Sequence, residues 1–218
     1  MKLGRQRGKI YPNGDVYEGS LLFGKKHGSG TLTYKSGAIH TGSFKNDKKH
    51  GQGHTIHANA FEYIGDYVND EANGFGTFTA DGESYTGQWV ANEQTGKGKY
   101  SYLNGDIYDG EWKNSKQCGQ GTMTFADGST YVGDFKDDNE HGKGIFTDSS
   151  TGDVYTGQWY DGVREGRGTI KYTNGEVFEG LFKDNKKHGN GKHTYRNESV
   201  YEGEYKVRVR HEIVISPR

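Results

Sequence analysis

Apolar and polar residues alternate along this chain in short runs, and the runs recur with a fixed period. Aligned starts fall at Tyr17, His40, Tyr63, Tyr85, Tyr108, Tyr131, Tyr155, Phe178 and Tyr201, separated by 22 to 24 residues. Two residues after each start stands a glycine, from Gly19 to Gly203. Two further on comes a large apolar residue: Leu21, Phe44, Tyr67, Trp89, Trp112, Phe135, Trp159, Phe182 and Tyr205. In eight units a second glycine follows the first by nine residues (Gly28 to Gly189) and a third comes two later (Gly30 to Gly191). Even spacings are a β signature, because residues i, i+2 and i+4 of a strand share a face. Tyr, Gly and Trp therefore line one side of a first strand. The second strand carries the glycine pair and often an aromatic four residues on, as in Gly121 with Phe125. A glycine pair weakens an isolated strand. It makes sense where a ring lies across the backbone, so the pattern predicts aromatics of one hairpin seated over glycines of the adjacent strand.

Turn signals separate the units: Asn13-Gly14, Ser36-Gly37, Asp81-Gly82, Asn104-Gly105, Asp127-Gly128 and Asn174-Gly175. Such pairs supply the positive φ angles of tight hairpin turns. The third repeat is one residue short and the sixth, with Ser149-Ser150-Thr151-Gly152, one residue long, both near the turn, where length changes are tolerated. The second repeat departs further, with His40 at the tyrosine position and no turn glycine between His54 and Ala60. No amphipathic helix is predicted. The expected fold is all-β, a single elongated, twisted antiparallel meander of about nine tandem β-hairpin repeats. It comprises an N-terminal half repeat (1–16), eight full repeats (17–200), and a partial ninth repeat with a C-terminal capping strand (201–218). Some 17 strands at about 4.8 Å each would extend on the order of 80 Å, and a sheet that long must twist into a curved, groove-bearing solenoid. At its end, Ile213-Val214-Ile215 reads as the cap and leaves a sheet edge through which two chains can pair.

Composition changes this picture in one respect. Leu, Ile, Val and Phe make up about 17% of the chain, a level at which disorder is the ordinary reading. The 29 aromatic residues, 16 of them Tyr, take the place of the missing aliphatics, since each ring buries roughly 150–250 Å². A net charge of −1 gives no pull toward nucleic acid. Cys118 is the single cysteine, so no internal disulfide forms. The basic N-terminus lacks the apolar stretch of a signal peptide and no run approaches 18 apolar residues. The expectation is a soluble, cytoplasmic protein.

Units such as YDGEWKNSKQCGQGTMTFADG from Tyr108 and YEGSLLFGKKHGSGTLTYKSG from Tyr17 resemble MORN repeats, the membrane occupation and recognition nexus motif. The resemblance runs from about residue 8 to 205. It implies β-hairpin arrays that scaffold other proteins, often in cytoskeletal, ciliary or membrane-junction settings, and phosphoinositide binding in some relatives. Relatives joined to kinase or methyltransferase domains carry that chemistry outside the repeats.

No residue pattern points to a catalytic centre, a cofactor or a metal. His27, His50, His141 and His188 precede the second glycine, one per repeat. Equivalent positions lie on the order of 9.6 Å apart, too far to share one zinc ion, and a role at the turn is the simpler reading. Cys118 fills the same slot. Gly-x-Gly recurs without the helix that a phosphate loop opens, and acidic positions such as Glu111 and Asp134 are solvent-side slots of the repeat. Two binding surfaces remain. The first is the aromatic ladder, where Trp89, Trp112 and Trp159, with Tyr85, Tyr108, Tyr131 and Tyr155, are candidate anchors for a protein segment or helix lying in a groove. The second is the set of Lys-rich first turns, with Lys25, Lys26, Lys48, Lys49, Lys186 and Lys187 as candidate contacts to an anionic membrane surface. The first turns of repeats 1, 2, 5 and 8 sum to +2, and those of repeats 3 and 6 to −2. The leading expectation is a non-catalytic scaffold or adaptor in a cytoskeletal or ciliary assembly, and the alternative is a phosphoinositide or membrane-surface binding module.

Overall fold

A computed structural model describes residues 6–59 and 61–206. The chain divides into two compact units, Met1–Ala126 and Asp127–Arg218. The first holds β1 (Gln6–Ile10), β2 (Val16–Leu22), β3 (Lys25–Thr33), β4 (Ile39–Lys45), β5 (Lys48–Ile56), β6 (Glu62–Val68), β7 (Glu71–Ala80), β8 (Glu83–Val90), β9 (Glu93–Ser101), β10 (Ile107–Lys113) and β11 (Lys116–Thr124). The second holds β12 (Thr130–Lys136), β13 (Asn139–Thr147), β14 (Val154–Tyr160), β15 (Val163–Lys171), β16 (Val177–Lys183), β17 (Lys186–Thr194) and β18 (Val200–Tyr205). Within each unit every strand pairs antiparallel with its neighbour in sequence, as in Tyr85↔Tyr100 and Tyr155↔Ile170. The described residues thus form an all-β hairpin meander without helices. The cap expected at Ile213–Ile215, and the self-association drawn from it, lie outside the described residues.

The glycines form a row across the strands. In the first unit Gly76 faces Gly87, which faces Gly98, which faces Gly110. The start tyrosine lies over this row on one face of the sheet. It covers the glycine of its own strand as well as that of the strand paired with it. A Cβ on Gly98 would stand 2.5 Å from Tyr85 Cζ, and one on Gly121 would stand 2.5 Å from Tyr108 Cε2. The ring-over-glycine expectation therefore holds, inside a hairpin.

The tight turns fall elsewhere than the Asn-Gly pairs predict. Two-residue turns with both φ angles positive join the strands inside each repeat: Asn46–Asp47 at 51° and 71°, Asn69–Asp70 at 53° and 80°, Asp137–Asp138 at 48° and 73°. These are the primed turns whose twist matches that of paired strands. Between repeats the loop is wider. Gly14 N–H donates to Tyr11 O at 2.9 Å, Tyr11 N–H donates to Asp15 O at 2.9 Å, and only Gly14 is left-handed. The shortened third repeat is the exception that explains itself. Losing one residue converts its outer loop to a two-residue turn, with Asp81 at 50° and Gly82 at 87°.

Repeats are also stitched at their turns. Asp47 Oδ1 accepts from Lys26 N–H at 2.8 Å while Asp47 N–H donates to Lys26 O at 3.0 Å. Asp70 grips Lys49 the same way (2.8 and 3.0 Å), Asn92 grips Ala72, and in the second unit Asn185 grips Arg164. Asp47 and Asp70 are thus hydrogen-bonded to the preceding repeat.

Candidate functional site

The start aromatics and the large apolar residues interleave edge to face. Tyr85 meets Trp89 at 5.1 Å and 90° within its repeat and Trp112 at 5.1 Å and 81° in the next; Tyr108 meets Trp112 at 5.3 Å. In the second unit Tyr131 and Tyr155 flank Trp159 at 5.0 and 5.4 Å. Such pairs are worth about 0.5–1.5 kcal/mol beyond the area they bury. Each tyrosine hydroxyl donates to the carbonyl three residues on, as Tyr108 does to Glu111 O at 2.9 Å and Tyr155 to Gln158 O at 2.9 Å. Burial pushes the phenols of Tyr85 and Tyr155 up to about 12.

This self-sealing ladder corrects the expectation that its rings line an open groove. Tyr85, Tyr108 and Tyr131 are 0% exposed and Tyr155 2%, while Trp89, Trp112 and Trp159 are 5–8% exposed. Edge-to-face contact closes each ring against the next repeat, so a single-layer sheet keeps its aromatic face nearly dry. The indole N–H groups differ. Trp89 Nε1 donates to Gly76 O at 3.1 Å and Trp112 Nε1 to Gly98 O at 3.0 Å, whereas the buried Trp159 Nε1 has no acceptor among the described residues. Trp112→Phe should therefore cost about 1 kcal/mol more than Trp159→Phe, measured by urea unfolding; equal losses would show that the indole bond contributes nothing.

The lysine turns split into two sets. Lys26, Lys49 and Lys187 point to the aromatic face and lie over rings: Lys26 Nζ is 5.0 Å from the Tyr11 ring centroid, Lys49 Nζ 4.6 Å from Tyr67, and Lys187 Nζ 4.2 Å from Phe178. Arg164 caps Tyr155 and Phe182 equivalently at 5.4 and 5.8 Å. These cations close the edge of the ladder, and burial holds the Lys49 ammonium below the usual lysine range. Lys25, Lys48 and Lys186 point the other way and are exposed. Among the described residues no three His, Cys, Asp or Glu side chains converge as metal ligands would.

The open space lies on the opposite face, over the backbone of the glycine row. In the first unit a trough of about 1050 Å³ is floored by Gly19, Gly30 and Gly42 and walled by Glu18, Ser20, Ser29, Thr31, Thr41 and Ser43. In the second a trough of about 620 Å³ is floored by Gly168, Gly180, Gly191 and Gly203, with Arg167, Glu179, Lys192 and Glu202 on its walls. Ile64, Phe75, Val132 and Ile145 are about half exposed on this same face. The sequence carries a signal for the troughs. The rows flanking the glycines are Ser, Thr and charged residues, a pattern that reads as mere solvent-side polarity until the rings are seen to leave that face uncovered.

The register shifts beside the glycines add one more feature. Beyond the second glycine of each repeat a backbone N–H points into a bulge. In repeats 3, 4, 6 and 7 a side chain of the facing strand meets it: Phe75 N–H donates to Asp66 Oδ2 at 2.9 Å, Lys97 to Gln88 Oε1 at 3.2 Å, Lys143 to Asp134 Oδ2 at 2.8 Å and Arg167 to Gln158 Oε1 at 2.7 Å.

Hairpins stacked through a glycine row and an aromatic ladder define a tandem β-hairpin repeat protein. The chain belongs to the MORN repeat family, whose repeat matches at 17–39, 40–59, 63–84, 85–107, 108–130, 131–152, 155–177 and 178–200. No curated protein sequence matches it. Among solved structures it resembles the wild-type TCP10 domain of Danio rerio CPAP, at 11% identity over 91% of this chain and 94% of that one, with a TM-score of 0.51. That likeness is one of fold. A weaker one, at 12% identity over 91% and 90% and a TM-score of 0.38, is to the SAS-4 (dCPAP) TCP domain of Drosophila melanogaster solved with a proline-rich motif of Ana2 (dSTIL). A streptogramin B lyase aligns at 12% identity over 92% and 68%, with a TM-score of 0.17.

Proposed function

We propose that this protein is a non-catalytic scaffold or adaptor that holds a protein segment along the glycine-floored face of its sheet. The observation that carries the reading is the asymmetry of the two faces. The aromatic face is sealed by its own rings, and the opposite face presents open troughs with hydroxyl, charged and half-exposed apolar walls. In this arrangement Trp89, Trp112, Trp159, Tyr85, Tyr108, Tyr131 and Tyr155 stiffen the platform while the trough residues make contact. A stiff surface is useful to a scaffold because little ordering entropy remains to be lost on binding. Membership of the MORN family supports the reading and suggests a cytoskeletal or ciliary setting. Photo-crosslinkers placed at Thr41 and Thr169 are expected to capture a protein partner from cells, with none captured at ladder-edge Tyr34. Capture at Tyr34 alone would move the binding surface back to the aromatic face.

The lipid alternative retains Lys25, Lys48 and Lys186, which are exposed. Each such lysine contributes about 1 kcal/mol near an anionic surface. Sedimentation with anionic vesicles should then fall with salt and fall further in the triple Lys→Gln variant; vesicle binding indifferent to both would remove this reading.

A further inference from the structure

Repeat 7 departs from the other repeats at two slots beside its tight turn, both on the trough face. Five residues after the start, where repeats 2, 3, 4 and 6 carry Lys45, Val68, Val90 and Lys136, it carries Tyr160. Ten after the start, where repeats 1, 2, 6 and 8 carry His27, His50, His141 and His188, it carries Glu165. The Tyr160 ring is 58% exposed, in a fold that buries its ladder rings almost completely. His141, its cross-strand neighbour on β13, lies 5.2 Å away with the two ring planes at 47°. Asp161 Oδ1 stands 3.6 Å from His141 Nδ1. Glu165 is half-buried, and its Oε2 accepts from the Asp184 N–H at 3.1 Å, which fixes the carboxylate. His141, Tyr160 and Glu165, with Asp134, Lys143 and Gln158, line a hollow of about 580 Å³. Gln158 Oε1 accepts from the N–H of Arg167, a wall residue of the second unit's trough, so the hollow adjoins that trough.

We infer that this hollow receives an arginine side chain of the protein segment held in the second unit's trough. This deepens the scaffold reading and rests on it. A guanidinium is planar and weakly hydrated, so it stacks on a ring while its fork of N–H groups meets a carboxylate. The hollow offers both halves of that recognition, the exposed ring of Tyr160 and the fixed carboxylate of Glu165. Its charge is complementary to a cation, since Asp134, Glu165 and the adjoining Asp161 outnumber Lys143. The same repeat already makes such a pairing on the opposite face, where the Arg164 guanidinium lies over the rings of Tyr155 and Phe182. An acidic segment would be repelled here, and a purely apolar one would use the ring and leave the carboxylates unanswered.

The test uses the full chain and the peptide acetyl-Gly-Thr-Arg-Thr-Gly-amide. Two controls replace its arginine, one with citrulline, which keeps the shape and loses the charge, and one with lysine. Binding is read from backbone amide shifts and from the Tyr160 ring signals. The arginine peptide is expected to shift His141, Tyr160 and Glu165, and to bind about tenfold tighter than the citrulline peptide. Glu165→Asn and Tyr160→Val install residues that the same slots hold elsewhere, at Asn73 and Val68, so the fold accommodates both. The first should weaken the arginine peptide about tenfold and the second about fivefold. Lys143→Gln should tighten it severalfold. Equal binding of the arginine and citrulline peptides, unchanged binding in either weakening variant, shifts confined to other residues, or no binding would each overturn the assignment. A lysine peptide that binds as tightly would overturn the choice of a guanidinium. The scaffold reading would survive those outcomes, because the crosslinking at Thr41 and Thr169 judges it separately.

Discussion

Replacing Gly98 with alanine is expected to destabilise the protein by about 3 kcal/mol. The sign is not obvious beforehand. Gly98 lies in ordinary extended backbone, and removing a glycine there would normally stabilise by about 0.4–1 kcal/mol through the unfolded chain. The new methyl would however meet Tyr85 Cζ and Cε2 at 2.5 Å. The ring has little room to retreat: Trp89 and Trp112 hold it edge to face at 5.1 Å each, and its hydroxyl donates to Gln88 O at 3.0 Å. Gly175→Ala is the comparison. Nothing lies within 4 Å of its Cβ, but its φ of +89° makes alanine strained, for a loss of about 1 kcal/mol. Urea unfolding should show the Gly98 variant with a lowered midpoint at unchanged slope. In a Tyr85→Leu background the Gly98 loss should shrink, since the two residues touch. Equal losses at Gly98 and Gly175 would mean that the backbone, and not the ring, demands the glycine row.

The second large effect is a loss of stability on acidification traced to His40. This residue replaces the start tyrosine and is 0% exposed. Its Nδ1 shares a hydrogen bond of 2.8 Å with Thr55 Oγ1, which in turn bonds Tyr67 Oη at 2.6 Å, while Nε2 has no partner among the described residues. Phe44 and Tyr67 pack edge-on at 5.2 and 5.0 Å. Burial, then the Lys49 ammonium, lowers its pKa to about 4, with His54 adding to the depression and Asp70 opposing it. In the unfolded chain the ring titrates near 6.5. Between these values the unfolded state takes up a proton that the folded state refuses, so stability is whole above 6.5 and falls as pH drops toward 4. The full window amounts to about 3 kcal/mol. Other histidines and carboxylates titrate too, so the measurement is the difference between wild type and His40→Tyr at pH 7 and pH 4. That difference should grow by about 3 kcal/mol in favour of the variant. At neutral pH tyrosine also restores the hydroxyl-to-carbonyl bond made by Tyr17 to Ser20 O and by Tyr63 to Asp66 O. A pH-independent difference would show that His40 is protonated equally in both states.

Much of this architecture was legible in residue order alone. Even spacing fixed the strands and their faces, because side-chain direction alternates along any extended chain. A repeat without exception fixed the meander, because units that bury their rings only against neighbours must stack in order. The period also placed Tyr85 over glycine, since no other residue leaves space for a ring. Three matters waited on the tertiary structure. Whether the rings of Trp89, Trp112 and Trp159 are open or sealed depends on how one hairpin's edge meets the next hairpin's face, a distance that no spacing encodes. Whether Lys26 and Lys25 act alike depends on strand register, and adjacent lysines point to opposite faces. Whether Asp134 and Gln158 are solvent-side slots or acceptors depends on the bulge beside the glycine row, where each meets a backbone N–H of the facing strand. Periodicity is a local property of the chain. Exposure, register and reach are properties of what the neighbouring strands bring up against it.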